Sequence, residues 1–306
     1  MSALGAESNN GETGATAVAS AYMIGSAAVF ALMVIAIRLA SHHMHAFEVA
    51  FLRNLFGLLF ALPLLANGGL ALLKTNKLPL YFVRCSIGIV SMLCGFWAIA
   101  HLPLAQAVAI SYSTPIFITI GAVLVLHEVV RIRRWTAVGI GFVGVLIIVR
   151  PGSPDFSADS LIALCAALAS AAVAISIKIL SRTESANAIV IYTTLIWVPL
   201  SLVPALFVWV WPSPMGWFWG GMAGLLGTSA HLLWTRALRA AEASALTPLS
   251  FVQLPIVAAL AWWLFDESLD QLTLMGAGVI FFSTAYIANR EARLARSKPT
   301  PSVPPA

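Results

Sequence analysis

Charged residues are scarce in this sequence. Only 9% of its 306 residues are Asp, Glu, Lys or Arg, and 60% are hydrophobic, whereas roughly 25% of the residues in a soluble domain are charged. A single water-soluble core cannot enclose so large an apolar share, so an ordinary globular domain is excluded. The composition indicates a chain whose side chains face lipid.

Cysteine is also rare. The three cysteines, Cys85, Cys94 and Cys165, lie in separate hydrophobic runs without a paired spacing, which argues against a disulfide framework and a zinc site. Three histidines cluster between residues 42 and 45, but no carboxylate accompanies them at a ligand spacing. We therefore predict no metal and no cofactor.

Motifs for nucleotide and catalytic chemistry are missing. The sequence has no Walker A motif and no HExxH motif. Gly139, Gly141 and Gly144 spell GxGxxG inside a hydrophobic run with no preceding strand, a context that favours close helix packing over dinucleotide binding. An integral-membrane enzyme is the rival class, but no nucleophile with a base is evident, so we predict no catalytic residues.

What the sequence does contain is a series of continuous hydrophobic runs. A helix of about 20 apolar residues spans a bilayer, and continuous runs differ from the alternating segments of a transmembrane barrel. We predict an all-α integral membrane protein with disordered or cytoplasmic tails at 1–17 and 291–306. Its ten transmembrane helices are expected at 18–38, 46–66, 79–100, 104–126, 135–149, 160–180, 187–210, 217–236, 244–265 and 271–289.

Basic residues are concentrated on one predicted side of the membrane. With ten spans, 13 of the 17 Lys and Arg residues fall in the even-numbered loops and the C-terminal tail. This bias is the positive-inside signal. It predicts a multi-pass protein of a bacterial inner membrane with both termini in the cytoplasm, and it explains the basic pI near 9.4 without a nucleic-acid partner.

The two halves of the chain share a pattern at a shift of 139 residues. Ala98 then meets Ala237 and Glu128 meets Glu267, each acidic residue closing a hydrophobic span. Because each half has an odd number of spans, the second half must enter from the opposite side. We predict two inverted five-helix repeats, 18–150 and 160–290, an arrangement common among secondary transporters.

Prolines mark the centres of two equivalent spans. Pro115 and Pro255 interrupt helices, which is expected to free the carbonyls of Ser111 and Phe251 near the bilayer centre, where irregular backbone should face a cavity or protein. The alternative is that the prolines only kink the helices for packing while Ser and Thr bond their own backbone. We expect Pro115 and Pro255 to act as helix breaks about which the halves rock.

Polar and aromatic residues near these breaks are candidate substrate contacts. Thr114 and Gln253 are equivalent under the shift, and His231 is a functional candidate because it lies within a span. A nearby tryptophan would suit a planar or cationic solute, although His231 could equally bond between helices. The candidate substrate-binding residues are Trp97, Ser111, Tyr112, Thr114, His231, Trp234 and Gln253.

Arg53 is a charge within a span, about 10 Å along the helix from its start. It is predicted to pair with Glu48 or to snorkel outward, with a cavity role as the alternative. Arg84 and Lys178 are expected to snorkel to the cytoplasmic side. The remaining acidic residues fall at span ends, which favours exchange or facilitated movement and leaves proton coupling open.

Several segments together resemble the EamA branch of the drug/metabolite transporter superfamily. The resemblance covers residues 20–290 and rests on HAFEVAFLR (45–53), AQAVAISYSTP (105–115), GIGFVGVLIIVRP (139–151) and FVQLP (251–255) with its following Asp-Glu. It implies a ten-helix carrier with a cavity lined by spans 1, 3, 4, 6, 8 and 9. Where the family commonly has Glu-Pro, this chain has Gln253-Leu254-Pro255, so a carboxylate role there is not expected.

The resemblance also bears on the substrate. Residues 45–53, 103–115 and 134–151 are most similar to the S-adenosylmethionine carriers of the family, which implies an amino-acid-like or nucleoside-like metabolite. An exporter of drugs, toxic metabolites or aromatic amino acids is the alternative on the same fold. The expected partners are a small-molecule substrate and membrane lipid, with the chain a monomer or a homodimer.

Overall fold

The computed structural model describes residues 3–66, 75, 77–127, 132–153, 156–180, 186–240, 249–268 and 270–296. Within these ranges the regular structure is helical throughout. The helices are α1 (Ala3–Ser41), α2 (Ala46–Ala66), α3 (Leu78–His101), α4 (Leu104–Ser111), α5 (Thr114–Leu126), α6 (Ile132–Val149), α7 (Ala158–Leu180), α8 (Ala186–Leu206), α9 (Pro214–Ala240), α10 (Gln253–Phe265) and α11 (Gln271–Arg296).

The apolar helices correspond to the predicted spans. Four segments are long and apolar enough to cross a membrane: Val18–Ser41, Leu78–His101, Leu104–Val125 and Ala158–Ile177. Four shorter apolar helices are Trp135–Val149, Tyr192–Leu206, Gln253–Phe265 and Gln271–Tyr286. Together with α2 and α9 they occupy the ten predicted positions, with α4 and α5 forming one interrupted span. The predicted all-α membrane fold is confirmed.

The chain ends differ from the prediction. Helix α1 begins at Ala3, inside the segment 1–17 that was expected to be disordered, and α11 extends to Arg296, past the predicted start of the C-terminal tail. A helix can continue beyond the bilayer with polar residues, because its backbone hydrogen bonds are internal. Residues 297–306 and the first part of span 9, at 244–248, lie outside the described residues.

The loops predicted to face outward meet at one end of the helix bundle, which we call the outer end. Ten alternating crossings require this arrangement, because every odd-numbered loop must emerge on the same side. The contacts that join these loops are Arg38 with Glu267, Trp97 with Asp159, Glu48 with Val210, and Arg150 with Asp270.

The 139-residue shift also relates the backbone of the two halves. Helices α5 and α10 each have 13 residues, and their first and last residues are related by this shift. Both end in a left-handed residue, His127 with a φ of 52° and Asp266 with a φ of 53°. Their N–H groups bond the equivalent carbonyls of Ala122 and Ala261. The structure therefore repeats where the sequence shows only a common pattern.

Glycines bring α6 and α11 into close contact. A Cβ atom at Gly144 would lie 2.8 Å from the carbonyl oxygen of Gly276, and Ser283 Oγ donates to the carbonyl of Ala137 at 2.5 Å. A Cβ atom at Gly139 would meet nothing within 4 Å. The GxGxxG segment therefore serves helix packing as predicted at Gly144, whereas Gly139 lies outside that contact.

Glycines at a spacing of four also join α2 to α9. A Cβ atom at Gly220 would lie 2.9 Å from the Leu52 side chain, and one at Gly224 would lie 2.9 Å from the carbonyl oxygen of Arg53. Thr228 Oγ1, four residues further on, donates to the carbonyl of Gly57 at 3.3 Å. Small residues at this spacing allow close backbone approach, which sets the register of α2 on α9.

Candidate functional site

The two halves each contain a helix break before a proline. Tyr112 and Ser113 form the turn between α4 and α5, and Phe251 and Val252 form the turn before α10. These pairs are equivalent under the 139-residue shift. Because proline cannot donate a backbone hydrogen bond and its ring crowds the preceding turn, the helix breaks lie just before Pro115 and Pro255, as the sequence predicts.

The two breaks touch each other. The rings of Tyr112 and Phe251 stack at a centroid distance of 4.1 Å and an interplanar angle of 17°. Tyr112 Oη donates to the carbonyl of Ser250 at 2.9 Å and lies 3.4 Å from Gln253 Oε1. Tyr112 therefore joins the break in the first half to the break in the second half.

The carbonyls expected to be free are satisfied locally. The Ser111 carbonyl accepts from Thr114 Oγ1 at 2.7 Å, and the Phe251 carbonyl accepts from the Leu254 N–H at 3.0 Å. Ser111 Oγ in turn donates to the Val108 carbonyl at 2.6 Å. The prediction of free carbonyls is wrong because a hydroxyl side chain reaches the Ser111 carbonyl and a backbone N–H three residues on reaches the Phe251 carbonyl.

At the breaks, the Gln253 side chain has amide N–H groups that are not used in hydrogen bonds with the described residues. Its carbonyl oxygen lies near the Tyr112 hydroxyl, and no partner of its amide nitrogen lies within the described residues. Pro255 beside it is exposed, and Gln253 itself is partly buried. Tyr112 is also partly buried, whereas Phe251 is buried, so the Gln253 amide and the Tyr112 ring are the groups available to a solute at the breaks.

His231 and Trp234 lie on α9, apart from the breaks. His231 is exposed, and its ring meets the ring of Phe30 edge-on at 5.1 Å. Its carbonyl accepts from Thr235 Oγ1 at 2.8 Å, and Trp234 is also exposed. Among the described residues, no hydrogen bond or ring contact joins His231 to the break residues. The sequence analysis listed His231 and Trp234 together with the break residues. In the structure they lie instead on α9, and His231 faces α1.

Trp97 lies at the outer end rather than near the bilayer centre. Its ring stacks on His101 at 4.0 Å and lies 5.7 Å from the ring of His45. Its indole Nε1 donates to Asp159 Oδ1 at 2.8 Å. Trp97 thus falls in the last turns of α3, next to the outer loops, and its role as a substrate contact stays a prediction.

Glu48 and Arg53 do not form the ion pair considered from the sequence. Glu48 is fully buried and accepts from two backbone N–H groups, those of His45 at 2.8 Å and Val210 at 2.9 Å. Arg53 Nη1 donates to Asn54 Oδ1 at 3.0 Å. A separation of five residues places the two charges on different faces of α2, and Glu48 serves as a cap for the helix start.

Arg84 is buried, against the prediction that it snorkels to the surface. It is 6% exposed, and its Nη1 donates to Thr193 Oγ1 of α8. The side chain of Lys178, for which the same prediction was made, lies outside the described residues. Depth in a span gives no information about a hydroxyl on a neighbouring helix, and this is why the prediction for Arg84 is wrong.

An ion pair between the two halves was missed by the sequence reasoning. Arg38 Nη2 bonds Glu267 Oε1 at 2.5 Å, and Arg38 Nη1 donates to the Ile99 carbonyl at 2.6 Å. The other oxygen of Glu267 accepts from the Leu104 N–H at 2.7 Å. We call Arg38 and Glu267 the outer ion pair. The available signal was two opposite charges at span ends on the same predicted side.

Two segments match one protein family. The model of the EamA-like transporter family fits residues 18–150 and again residues 159–289. The chain belongs to the EamA-like transporter family. Two copies of one family unit agree with the repeated backbone of the two halves.

Several relatives in this family are transporters by name. The S-adenosylmethionine uptake transporter of Rickettsia bellii is 30% identical over 258 residues, covering 83% of this chain and 88% of the relative. The riboflavin transporter of Vibrio cholerae is 30% identical, with 81% and 84% covered. The pseudopaline exporter CntI of Pseudomonas aeruginosa is 28% identical, with 82% and 89% covered.

A solved crystal structure of similar fold supports the architecture. It superposes with a TM-score of 0.62 at 18% identity and covers 90% of this chain and 98% of that chain. At this identity the likeness concerns the fold alone. Family membership and the named relatives make the protein a small-metabolite transporter of the multi-pass membrane class, and a transporter rather than an enzyme.

Proposed function

We propose that this protein moves a small amphoteric organic metabolite, similar to an amino acid or nucleoside, across a bacterial inner membrane by alternating access. S-adenosylmethionine is the representative candidate. Both termini are proposed to face the cytoplasm, so that the outer end faces away from it. Proposed contacts at the breaks are Ser111, Tyr112, Thr114 and Gln253, with His231 and Trp234 on α9.

The observation that carries this proposal is the contact between the two helix breaks. Tyr112 stacks on Phe251, its equivalent in the other half, and irregular backbone at this depth belongs beside a cavity or protein. Two similar halves of opposite orientation can exchange roles and open a site to alternate sides. We propose that rocking about Pro115 and Pro255 produces this exchange, and that the outer ion pair holds the outer side closed.

The ring surfaces and the named relatives support a substrate with a planar ring. S-adenosylmethionine and riboflavin each contain a fused heterocycle, which fits an aromatic surface such as that of the partly buried Tyr112. The amide of Gln253 supplies both a donor and an acceptor, so it can bond a heterocycle or an amino-acid group. A polar bond inside a water-poor site strengthens selection among solutes of similar shape.

We propose that transport proceeds by exchange or by facilitated movement and is not coupled to a proton gradient. In the described part of the chain, Glu48, Asp159 and Glu267 lie at the outer end. Glu7, Glu12 and Glu291 lie on the terminal helices α1 and α11, and no carboxylate lies at the breaks. Deep acidic residues are the usual proton relays of membrane carriers. Transport is therefore expected to continue when a pH gradient across the membrane is collapsed.

Counterflow in proteoliposomes tests the function directly. Purified full-length protein is reconstituted with unlabelled S-adenosylmethionine, methionine, tryptophan or riboflavin inside, and uptake of the labelled compound is measured with and without a protonophore. We expect saturable flux of S-adenosylmethionine that the protonophore leaves intact. Hydrolysis or group transfer without flux would contradict the transporter assignment, and loss of flux with the protonophore would contradict exchange.

Gln253→Ala tests the site, with Gln271→Ala as the matched control because Gln271 is exposed at the start of α11. We expect Gln253→Ala to reduce transport by roughly fivefold to tenfold, the value of one hydrogen bond of about 1 kcal/mol, and Gln271→Ala to leave it unchanged. Thr114→Ala is expected to have a smaller effect, since its hydroxyl already bonds the Ser111 carbonyl. Unchanged kinetics in both Gln253→Ala and Thr114→Ala would exclude a site at the breaks.

A further inference from the structure

Arg53 extends toward the bilayer centre rather than toward the outer surface. Its carbonyl oxygen lies 2.9 Å from the Cβ position of Gly224, whereas its Nε and Nη2 each lie 3.1 Å from the Cβ position of Gly227. Gly227 lies about one helical turn further from the outer end than Gly224. The guanidinium is therefore deeper in the membrane than its own backbone, and outward snorkelling is not what the side chain does.

The guanidinium has no carboxylate partner among the described residues. Glu48, the one nearby acidic side chain on α2, uses both oxygens on the N–H groups of His45 and Val210. The bond that Arg53 makes is to the neutral amide of Asn54, from Nη1 at 3.0 Å. A charge at the centre of a span costs about 2.5–3.5 kcal/mol on insertion scales, so an uncompensated arginine here is unexpected for a purely structural residue.

A relay of polar side chains fixes the orientation of this guanidinium. Asn54 Nδ2 donates to Ser201 Oγ of α8 at 3.2 Å, and Ser201 Oγ donates to the Trp197 carbonyl at 2.7 Å. Asn54 and Ser201 are buried, whereas Arg53 itself remains partly exposed. The relay holds Nη1, one edge of the fork, through a neutral partner, and among the described residues no hydrogen bond is seen for Nε or Nη2.

The surroundings of Arg53 suit a ligand with an anionic group. Met33 Sδ lies 3.0 Å from the Cβ position of Gly227, against which the guanidinium also packs. His231 lies one helical turn beyond Gly227 on α9, and Phe30 lies edge-on to the His231 ring at 5.1 Å. Two basic side chains, a ring and a thioether thus line one location between α1, α2 and α9.

Arg84 shows how a structural arginine differs in the same chain. Its guanidinium is buried between α3 and α8 and bonded to Thr193 Oγ1, and its Nε is enclosed without a hydrogen-bond partner. No ligand can reach it. Arg53 is instead partly exposed, a neutral amide orients its guanidinium, and His231 follows one turn after Gly227, the glycine against which the guanidinium packs.

We propose that Arg53, with His231 as a second donor, binds the carboxylate of the transported metabolite. Arginine presents a planar fork of N–H groups that matches a carboxylate. The inference rests on the proposed transport function and narrows its substrate class to metabolites that carry a carboxylate. S-adenosylmethionine, methionine and tryptophan meet this requirement, whereas riboflavin does not. Gly227 is a specificity-determining position, because a methyl group there would collide with the guanidinium.

The test compares each carboxylate probe with its decarboxylated amine in proteoliposomes. The probes are S-adenosylmethionine, methionine and tryptophan, each with the matching amine, and riboflavin as a ring without a carboxylate. We expect the wild-type protein to prefer the carboxylate form, and Arg53→Gln to reduce its transport about tenfold to a hundredfold while transport of the amine is unchanged. Arg53→Lys should retain part of the preference, and Gly227→Ala should raise KM for the carboxylate form.

Arg150→Gln is the matched control, since Arg150 lies at the outer end, paired with Asp270, and it should transport like the wild type. If Arg53→Gln reduced transport of a carboxylate probe and of its matching amine equally, with a normal melting temperature, Arg53 would have a structural role and the inference would be overturned. Transport of only riboflavin or only the amines would also overturn the inference, although it would confirm that the protein is a transporter. No flux of any probe would overturn the proposed substrate class, and the inference with it.

Discussion

Tyr112 and Phe251 are equivalent positions in the two halves, and their rings stack on each other at 4.1 Å. A residue that touches its own equivalent must lie close to the axis that relates the halves. The stacked pair therefore lies where the two halves meet, close to Pro115 and Pro255, about which rocking is proposed.

Tyr112→Phe is expected to change transport more than stability. The variant keeps the ring on Phe251 but loses the bonds to the Ser250 carbonyl and to Gln253, a loss of about 1 kcal/mol. We expect a melting temperature within a few degrees of the wild type and a transport rate altered severalfold. Phe251→Ala should cost about 3 kcal/mol or more, as deletion of a buried phenyl ring does. Fluorescence-monitored unfolding in detergent and counterflow measure the two effects, with exposed Phe207→Ala as the control.

Removing the outer ion pair is expected to open the outer side. Arg38 and Glu267 are 13% and 16% exposed, so their bonds are worth about 1.5–3 kcal/mol, or roughly tenfold to a hundredfold in an equilibrium. In a background without native cysteines, Val108→Cys places a thiol in the buried cluster between α1, α4 and α10. Adding Arg38→Ala should raise the rate at which an impermeant maleimide labels this thiol by roughly tenfold to a hundredfold.

Charge reversal at both positions should restore this closure only in part. The outer ion pair also bonds the Ile99 carbonyl and the Leu104 N–H, and a reversed pair presents an acceptor to the carbonyl and a donor to the N–H. Arg150→Ala serves as the control, because its partner Asp270 is 45% exposed and exposed pairs contribute about 0–1 kcal/mol. Unchanged labelling of Val108→Cys in Arg38→Ala would show that packing alone closes the outer side.

Two glycines of the same helix should respond differently to alanine. A Cβ atom at Gly144 would lie 2.8 Å from the Gly276 carbonyl and 2.9 Å from Ile280, so α6 and α11 must separate. We expect Gly144→Ala to lose about 1–3 kcal/mol. Gly139→Ala meets nothing within 4 Å and should be neutral or gain up to about 1 kcal/mol in helix propensity. Equal melting temperatures of the two variants would contradict the assigned α6–α11 contact.

Glu48→Gln is expected to destabilise the outer end without changing substrate preference. Glu48 is fully buried and accepts from two N–H groups, whereas a glutamine amide offers one oxygen and turns its NH₂ toward the second N–H. The expected loss is about 1–3 kcal/mol, measured as a lower melting temperature in detergent. If Glu48→Gln instead altered the preference for carboxylate probes, Glu48 would belong to the substrate site and not to the helix cap.

Much of the site could not be predicted, because the sequence gives the position of a residue along its span but not the helix that packs against it. Tyr112 and Gln253 were found together because the repeat relates their spans and prolines fix the breaks. The different surroundings of Trp97 and His231 could not be predicted, since distance along a helix does not say which helix lies opposite. Arg53 and Arg84 illustrate the same limit: their neutral partners, Asn54 on α2 and Thr193 on α8, belong to a partly exposed and to a buried arginine.

The sequence by itself determined the membrane class, the positions of the ten spans, the common side of the odd-numbered loops and the two proline breaks. These follow from hydropathy, charge bias and backbone chemistry, which are local properties of the chain. Only the tertiary structure decided that Tyr112 meets Phe251, that Arg38 bonds Glu267, and that Arg53 bonds Asn54 rather than any carboxylate of the described residues, while Glu48 caps a helix. Such pairings depend on the rotation and register of packed helices, which small residues such as Gly224 and Gly144 set by allowing backbones to touch.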